Sequence, residues 1–69
     1  MPIIKLTDEE WYTAETERVL ECLRAWLPHE GMAQAEVKAR LLASGFGHTD
    51  AEFTEIGKRL VADGKITIT

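Results

Sequence analysis

The chain has a single cysteine, Cys22, among its 69 residues, so no disulfide can form within it. No apolar run approaches the roughly 20 residues that a membrane-spanning helix needs. A signal peptide has a basic region followed by a long apolar segment, and the amino-terminal segment MPIIKLTDEE has no such pattern. These absences predict a cytoplasmic location and no association with a membrane.

The residue sets that carry chemistry are missing as well. Cys22, His29 and His48 are the only soft metal ligands, and no two of them have the spacing of a metal site. Ser44 is the only serine, and Cys22 falls on an apolar helix stripe, where a thiol is expected to be inert. The segment 45–47, Gly-Phe-Gly, is too short for a phosphate-binding loop and follows a helix rather than a strand. The sequence therefore predicts no enzymatic activity, no metal and no cofactor.

What is present is a small chain with an uneven charge. Its 69 residues predict one domain, residues 1–69, which buries only about 60% of its unfolded surface. Residues 1–30 carry three basic and seven acidic side chains, whereas residues 31–69 carry five of each, so the formal net charge of −4 lies in the first half. Domains that bind through phosphate contacts are usually basic. The charge balance therefore argues against a nucleic-acid partner.

Local signals predict three helices, over about residues 8–27, about residues 34–44, and from a cap at Thr49 to a stop at Gly64. Capping-box patterns precede the first and third helices, and a glycine, Gly45, follows the second. The apolar residues at helical spacing are Tyr12, Val19, Cys22, Leu23, Trp26 and Leu27, then Val37 and Leu41, then Phe53, Ile56 and Leu60. Gly57 costs about 1 kcal/mol of helix propensity relative to alanine, which predicts a close approach by the backbone of helix one or two.

Two short segments are predicted to form β-strands. Residues 3–6, Ile-Ile-Lys-Leu, are an apolar run that contains two β-branched side chains. Residues 65–69, Lys-Ile-Thr-Ile-Thr, alternate polar and apolar side chains, which is typical of a strand with one buried face.

The order of these elements resembles the core of a winged-helix domain. The resemblance is carried by the segment 31–41 (GMAQAEVKARL), by the spacing of Phe53, Ile56 and Leu60, and by the run 63–66 (DGKI). It covers about residues 15–68 and implies three helices followed by a β-hairpin wing. The sequence ends one strand into that wing, so the amino-terminal strand is expected to pair with it instead. The expected fold class is mainly α with a small sheet: a three-helix, winged-helix-like domain whose chain ends form a two-stranded antiparallel sheet.

The winged-helix family mostly binds DNA through helix three and the wing, although many members are protein-interaction modules. One expectation is therefore a DNA-binding transcriptional regulator that uses helix three as its recognition helix. The resemblance and the basic side chains assign it the contact residues Lys38, Arg40, Thr49, Lys58, Arg59 and Lys65. Against this, Glu55–Arg59 and Glu36–Arg40 have the spacing of ion pairs within a helix. A solvated face of mixed charge explains the same pattern.

The outer face of helix one is acidic, in contrast to the basic residues of the second half of the chain. Glu10, Glu17 and Glu21 fall on one outer face with Arg24 at its end, and Glu17 and Glu21 are like charges four residues apart, which slightly destabilises a helix. The favoured expectation is a non-enzymatic interaction module that binds a protein partner, as an adaptor or inhibitor, through this acidic face or the exposed strand edge. Ordinary solubility explains the same charges. The chain is expected to be a monomer or a homodimer, because an open strand edge invites a second chain.

Overall fold

The computed structural model describes residues 1–69, which form three α-helices. They are α1 over Asp8–Trp26, α2 over Gln34–Ala43 and α3 over Asp50–Ala62. The three predicted helices are confirmed, and their bounds differ from the expected ones by only one or two residues. None of the three combines the length and the apolar character that crossing a membrane requires.

Threonine side chains begin α1 and α3, as the capping patterns predicted. At α3 both halves of the capping box form: Thr49 Oγ1 accepts from the Glu52 amide at 3.2 Å, and the Glu52 carboxylate accepts from the Thr49 amide at 2.8 Å. At α1 only one half forms, in which Thr7 Oγ1 accepts from the Glu10 amide at 3.3 Å. The Glu10 carboxylate does not return to the Thr7 amide, so it stays available at the surface.

Glycines close α2 and α3 in the same way. Gly45 and Gly64 have positive φ angles of 96° and 71°, a conformation that glycine adopts without steric cost. The next amide in each case donates to a carbonyl one turn back, from Phe46 to Leu41 and from Lys65 to Leu60, both at 3.0 Å. These are Schellman closures, and they turn the chain back towards the core.

The core lies where α1 packs on α3, with α2 and the loop after it closing one side. Its buried apolar residues are Val19, Leu20, Leu23, Leu41, Phe46, Ile56 and Leu60. The sequence stripes predicted most of this set but omitted Leu20 and Phe46. Thr16, also omitted, is buried among them, and its hydroxyl oxygen has no hydrogen-bond partner.

The predicted two-stranded sheet is wrong, because the chain contains no β-strand. Ile66 packs half-buried against the helical core, and the residues after it are exposed without regular structure. A two-stranded sheet is marginal in water even as a tight hairpin, and joining segments distant in sequence adds a loop-closure cost. The fold is therefore all-α. It forms neither a wing nor the strand edge that was expected to bind a partner or a second copy.

Residues 1–6, which we call the amino-terminal arm, are exposed and lie outside the helices. Ile3 and Ile4 are 82% and 99% exposed, so the arm adds nothing to the core. The molecule is 49 Å long, and its radius of gyration of 12.9 Å exceeds the value of about 11 Å expected for a compact chain of this size.

Gly57 also departs from its prediction. A methyl group placed on its α-carbon would meet no other atom within 4 Å, so no backbone approaches it closely. The expected reason for a glycine in the middle of α3 is therefore wrong.

Candidate functional site

The acidic face predicted on helix one is present on α1 as an exposed surface. Glu10, Glu17, Glu21 and Arg24 are all exposed, and their spacing places them along one side of the helix. Arg24 Nη1 lies 2.8 Å from Glu21 Oε1, so one of the acids has a partner on the same helix. Glu10 and Glu17 have no ion-pair partner. We call these three glutamates, with Arg24 at their end, the acidic face.

Arg59, expected among the DNA contacts, is instead engaged within the molecule. Its Nη1 and Nη2 atoms donate to both carboxylate oxygens of Glu9, at 3.1 and 2.9 Å, and its Nε donates to Glu55 at 3.1 Å. The guanidinium also lies 5.0 Å from the centre of the Tyr12 ring. The hydrogen bond and charge of Arg59 lower the pKa of Glu9, and the Glu9 hydrogen bond raises the pKa of Arg59. The predicted pair with Glu55 is confirmed, but the bidentate bond to Glu9 was not foreseen.

Other expected DNA contacts are also engaged. Lys38 forms an ion pair with Asp50, at the first residue of α3. The Thr49 hydroxyl is occupied as the helix cap. Arg40 does not form the expected pair with Glu36, and its guanidinium lies instead over the Trp26 ring, 5.4 Å from the ring centre.

Lys58 and Lys65 complete the set, and both are exposed without a carboxylate partner. A protein that binds DNA tightly makes about six to ten phosphate contacts, each of which releases a counterion, and two free lysines supply few of these. The arrangement of these residues is therefore poorly suited to a duplex.

A cluster of side chains around the α2–α3 loop was not predicted from the sequence. His48 Nε2 lies 3.0 Å from Glu15 Oε1, and Arg18 Nη1 lies 2.7 Å from Glu15 Oε2. The rings of Trp11 and Phe46 lie 5.8 and 5.4 Å from the His48 ring. Partial burial alone would raise the pKa of Glu15, but the hydrogen bonds from His48 and Arg18 outweigh it and leave that pKa below its ordinary value. The only sequence signal was a pair of aromatic residues in a short glycine-flanked loop.

An open cavity of about 460 Å³ lies where the amino-terminal arm meets the first turns of α1 and α3. Its lining residues are Lys5, Leu6, Asp8, Trp11, Tyr12 and Glu52. Trp11 and Tyr12 meet edge to face, with ring centres 4.9 Å apart and planes at 86°. No local pattern in the sequence predicts this cavity, because the arm and the first turns of α1 and α3 meet only in the folded chain.

No group of three or more histidine, cysteine, aspartate or glutamate side chains is placed so that it could hold a metal ion. Cys22, His29 and His48 are not brought together; Cys22 packs beside the core and His48 bonds to Glu15. No family model matches the chain, and no curated protein or solved structure matches it either.

Proposed function

We propose that this chain is a non-enzymatic interaction module that binds a basic protein surface through the acidic face of α1, as an adaptor or as an inhibitor. The observation that carries the proposal is a difference in how the charges are used. Most of the basic side chains expected to touch DNA are engaged within the molecule, whereas Glu10 and Glu17 are exposed and have no partner.

The distribution of charge supports the same choice. The first 30 residues hold the whole net charge of −4, and all three glutamates of the acidic face lie among them. Complementary charge speeds encounter with a partner and disfavours partners of the same sign. A protein surface rich in lysine and arginine fits these conditions, and a nucleic-acid backbone does not.

The winged-helix resemblance supports one alternative function, a DNA-binding regulator that uses α3 as its recognition helix. Lys58 and Lys65 favour it, since both are free to contact phosphates. The acids at the start of α3 count against it, because a recognition helix presents its first residues to the bases. Asp50 and Glu52 would bring negative charge towards the phosphates there.

The test is an NMR titration of the labelled chain at low salt with two probes, a lysine-rich helical peptide and a random-sequence DNA duplex. We expect the peptide to shift the amide signals of α1 around Glu17 and Glu21, and the duplex to shift none. The double variant Glu17→Lys/Glu21→Lys should weaken peptide binding by about tenfold or more, since each factor of ten needs only about 1.4 kcal/mol. Binding should also weaken as salt is added, because exposed charges are screened.

The matched control is Glu30→Lys/Glu36→Lys, which changes the net charge by the same amount at two exposed, unpaired acids outside the acidic face. We expect it to weaken binding much less. Equal losses in the two double variants would mean that net charge alone attracts the peptide, and the proposal would fail. Duplex-induced shifts confined to α3 and Lys65 would favour the regulator instead.

A further inference from the structure

The open cavity at the start of α1 has a chemical character that the proposed function does not use. An indole ring and two carboxylates face it from separate helices, Trp11 and Asp8 from α1 and Glu52 from α3. Leu6 and Tyr12 supply apolar surface beside them. Ligand sites commonly combine apolar walls with a few polar groups in a volume of about 300–1,000 Å³.

The two carboxylates retain acceptor capacity. The Asp8 carboxylate takes part in no hydrogen bond or ion pair. Glu52 uses only its Oε1 atom, which accepts from the Thr49 amide, so Oε2 has no partner. Lys5, on the arm, is the only basic residue that lines the cavity. With the two carboxylates, the lining side chains therefore carry a net negative charge.

The first turns of α1 and α3 also bring helix dipoles to this place, which would favour an anion. Each dipole is equivalent to about half a positive charge, whereas each carboxylate carries a full negative one. In addition, Thr7 and Thr49 already accept hydrogen bonds from amides in those turns. Together with Lys5, the two dipoles about balance the two carboxylates, so the case for a cation rests on the acceptor atoms of Asp8 and Glu52 that have no partner.

The molecule itself indicates which cation. Three of its four arginines lie over aromatic rings, namely Arg18 over Phe46, Arg40 over Trp26 and Arg59 over Tyr12. Arg59 also forms a bidentate bond with Glu9, next to the cavity. The cavity offers the same combination of ring and carboxylate with no guanidinium in it. Tyr12 already carries Arg59, but no cation lies over Trp11.

We propose that this cavity receives an arginine side chain of the basic protein partner, with the guanidinium against the Trp11 indole and bonded to Asp8 and Glu52. The proposal rests on one part of the proposed function, namely that the partner is a basic protein, and the cavity contact then fixes how that partner sits beside the acidic face. Arginine suits the site better than lysine, since its planar fork bonds carboxylates in pairs and stacks on rings. Lys5 opposes the ligand through its like charge.

The first experiment follows the indole N–H signal of Trp11 by NMR while the full chain is titrated with capped tripeptides. The three probes have arginine, lysine or citrulline at the centre, and citrulline is the neutral isostere of arginine. We expect the arginine peptide to shift the Trp11 signal with half-saturation on the order of 1 mM, several-fold more tightly than the lysine peptide. The citrulline peptide should leave it unchanged, and the Trp26 signal should not move. Equal shifts with citrulline, or no shift at Trp11 with arginine, would overturn the proposal.

Isosteric variants then locate the binding charges. Asp8→Asn/Glu52→Gln should weaken the arginine peptide by about tenfold, because the amide oxygens still accept hydrogen bonds but no longer carry the charge that strengthens them. Glutamine at position 52 keeps an oxygen for the Thr49 amide, so the cap is preserved. Lys5→Ala should tighten binding severalfold, whereas Lys58→Ala, which removes the same charge from α3 outside the cavity lining, should not. Equal effects of the two lysine variants would show that the peptide responds to net charge and not to this cavity.

A longer arginine- and lysine-rich peptide separates the failure of this inference from the failure of the proposed function. If Glu17→Lys/Glu21→Lys weakens that peptide but Asp8→Asn/Glu52→Gln does not, the acidic face stands and the arginine cavity is overturned. If only the cavity variant weakens it, the arginine cavity stands and the acidic face is overturned. Weakening by both variants supports both proposals, and weakening by neither overturns both.

Discussion

The α2–α3 loop and the amino-terminal arm both carry bulky apolar side chains, yet they end in opposite environments. Phe46 in the loop is 7% exposed, whereas Ile4 in the arm is 99% exposed. The difference lies in what holds the backbone. The loop begins with a Schellman closure after Gly45, and its far end is held by the bond between His48 and Glu15. The arm is fixed only where Thr7 caps α1.

This comparison shows that an apolar side chain becomes part of a small core only when its backbone is already positioned. Ordering a free residue costs about 1–2 kcal/mol of backbone entropy, and burying one more isoleucine gains about 1.5–3 kcal/mol. Several residues must be ordered to dock an arm, so the balance is unfavourable there. In the loop, the backbone hydrogen bonds after α2 and the bond between His48 and Glu15 already hold the backbone, so the burial of Phe46 does not have to offset the whole entropy cost.

The largest test of the comparison is truncation of one apolar side chain in each region. Phe46→Ala should lower the free energy of unfolding by about 3–5 kcal/mol, because it leaves a cavity in the core. Ile4→Ala should change it by less than about 0.5 kcal/mol, as expected of an exposed site. Urea unfolding followed by circular dichroism measures both.

If Phe46→Ala does not fold, Phe46→Leu keeps most of the volume and should still cost about 1 kcal/mol. Similar costs for Phe46→Leu and Ile4→Ala would contradict the comparison, since they would mean that the arm packs as firmly as the loop.

The second test concerns the Glu15 carboxylate, whose bond to His48 holds the loop. The pKa of Glu15 is lowered in the fold, so ionised Glu15 stabilises the native state. That contribution is complete above the ordinary pKa of a glutamate and is lost as the pH falls through the lower pKa of the folded state. Glu15→Gln should therefore cost about 1 kcal/mol at about pH 7, and the difference from the natural chain should disappear once the pH is below that lowered pKa.

The matched control is Glu17→Gln, which removes an exposed and unpaired carboxylate two residues away on α1. It should leave the free energy of unfolding nearly unchanged at both pH values. A cost for Glu15→Gln that is the same at neutral and acidic pH would mean that the side chain acts by packing rather than by charge.

The difference between the loop and the arm also explains which parts of the structure could be predicted from the sequence. The helix bounds depend on local signals, such as the Thr49–Glu52 box and the closing glycines, and these were confirmed. The prediction of two strands was wrong. Residues 65–69 alternate as the residues of a strand do, but a strand forms only where the tertiary structure places a partner strand beside it. The contacts Arg59–Glu9 and His48–Glu15 join residues 50 and 33 positions apart, so no local pattern indicates them. The acidic face lies on one helix, and its placement therefore followed from spacing alone.

The last test concerns a position where no neighbour constrains the backbone. Gly57 lies within α3, and a methyl group on its α-carbon would meet nothing within 4 Å. Gly57→Ala should therefore raise the free energy of unfolding by about 0.5–1 kcal/mol, because alanine loses less backbone entropy in a helix. Gly45→Ala is the contrasting change, and its φ of +96° predicts a loss of at least about 1 kcal/mol. Thermal unfolding of the two variants measures the pair. A loss at Gly57 would mean that the surface of α3 beside it is held close to another part of the chain, and would restore the close approach that this glycine first suggested.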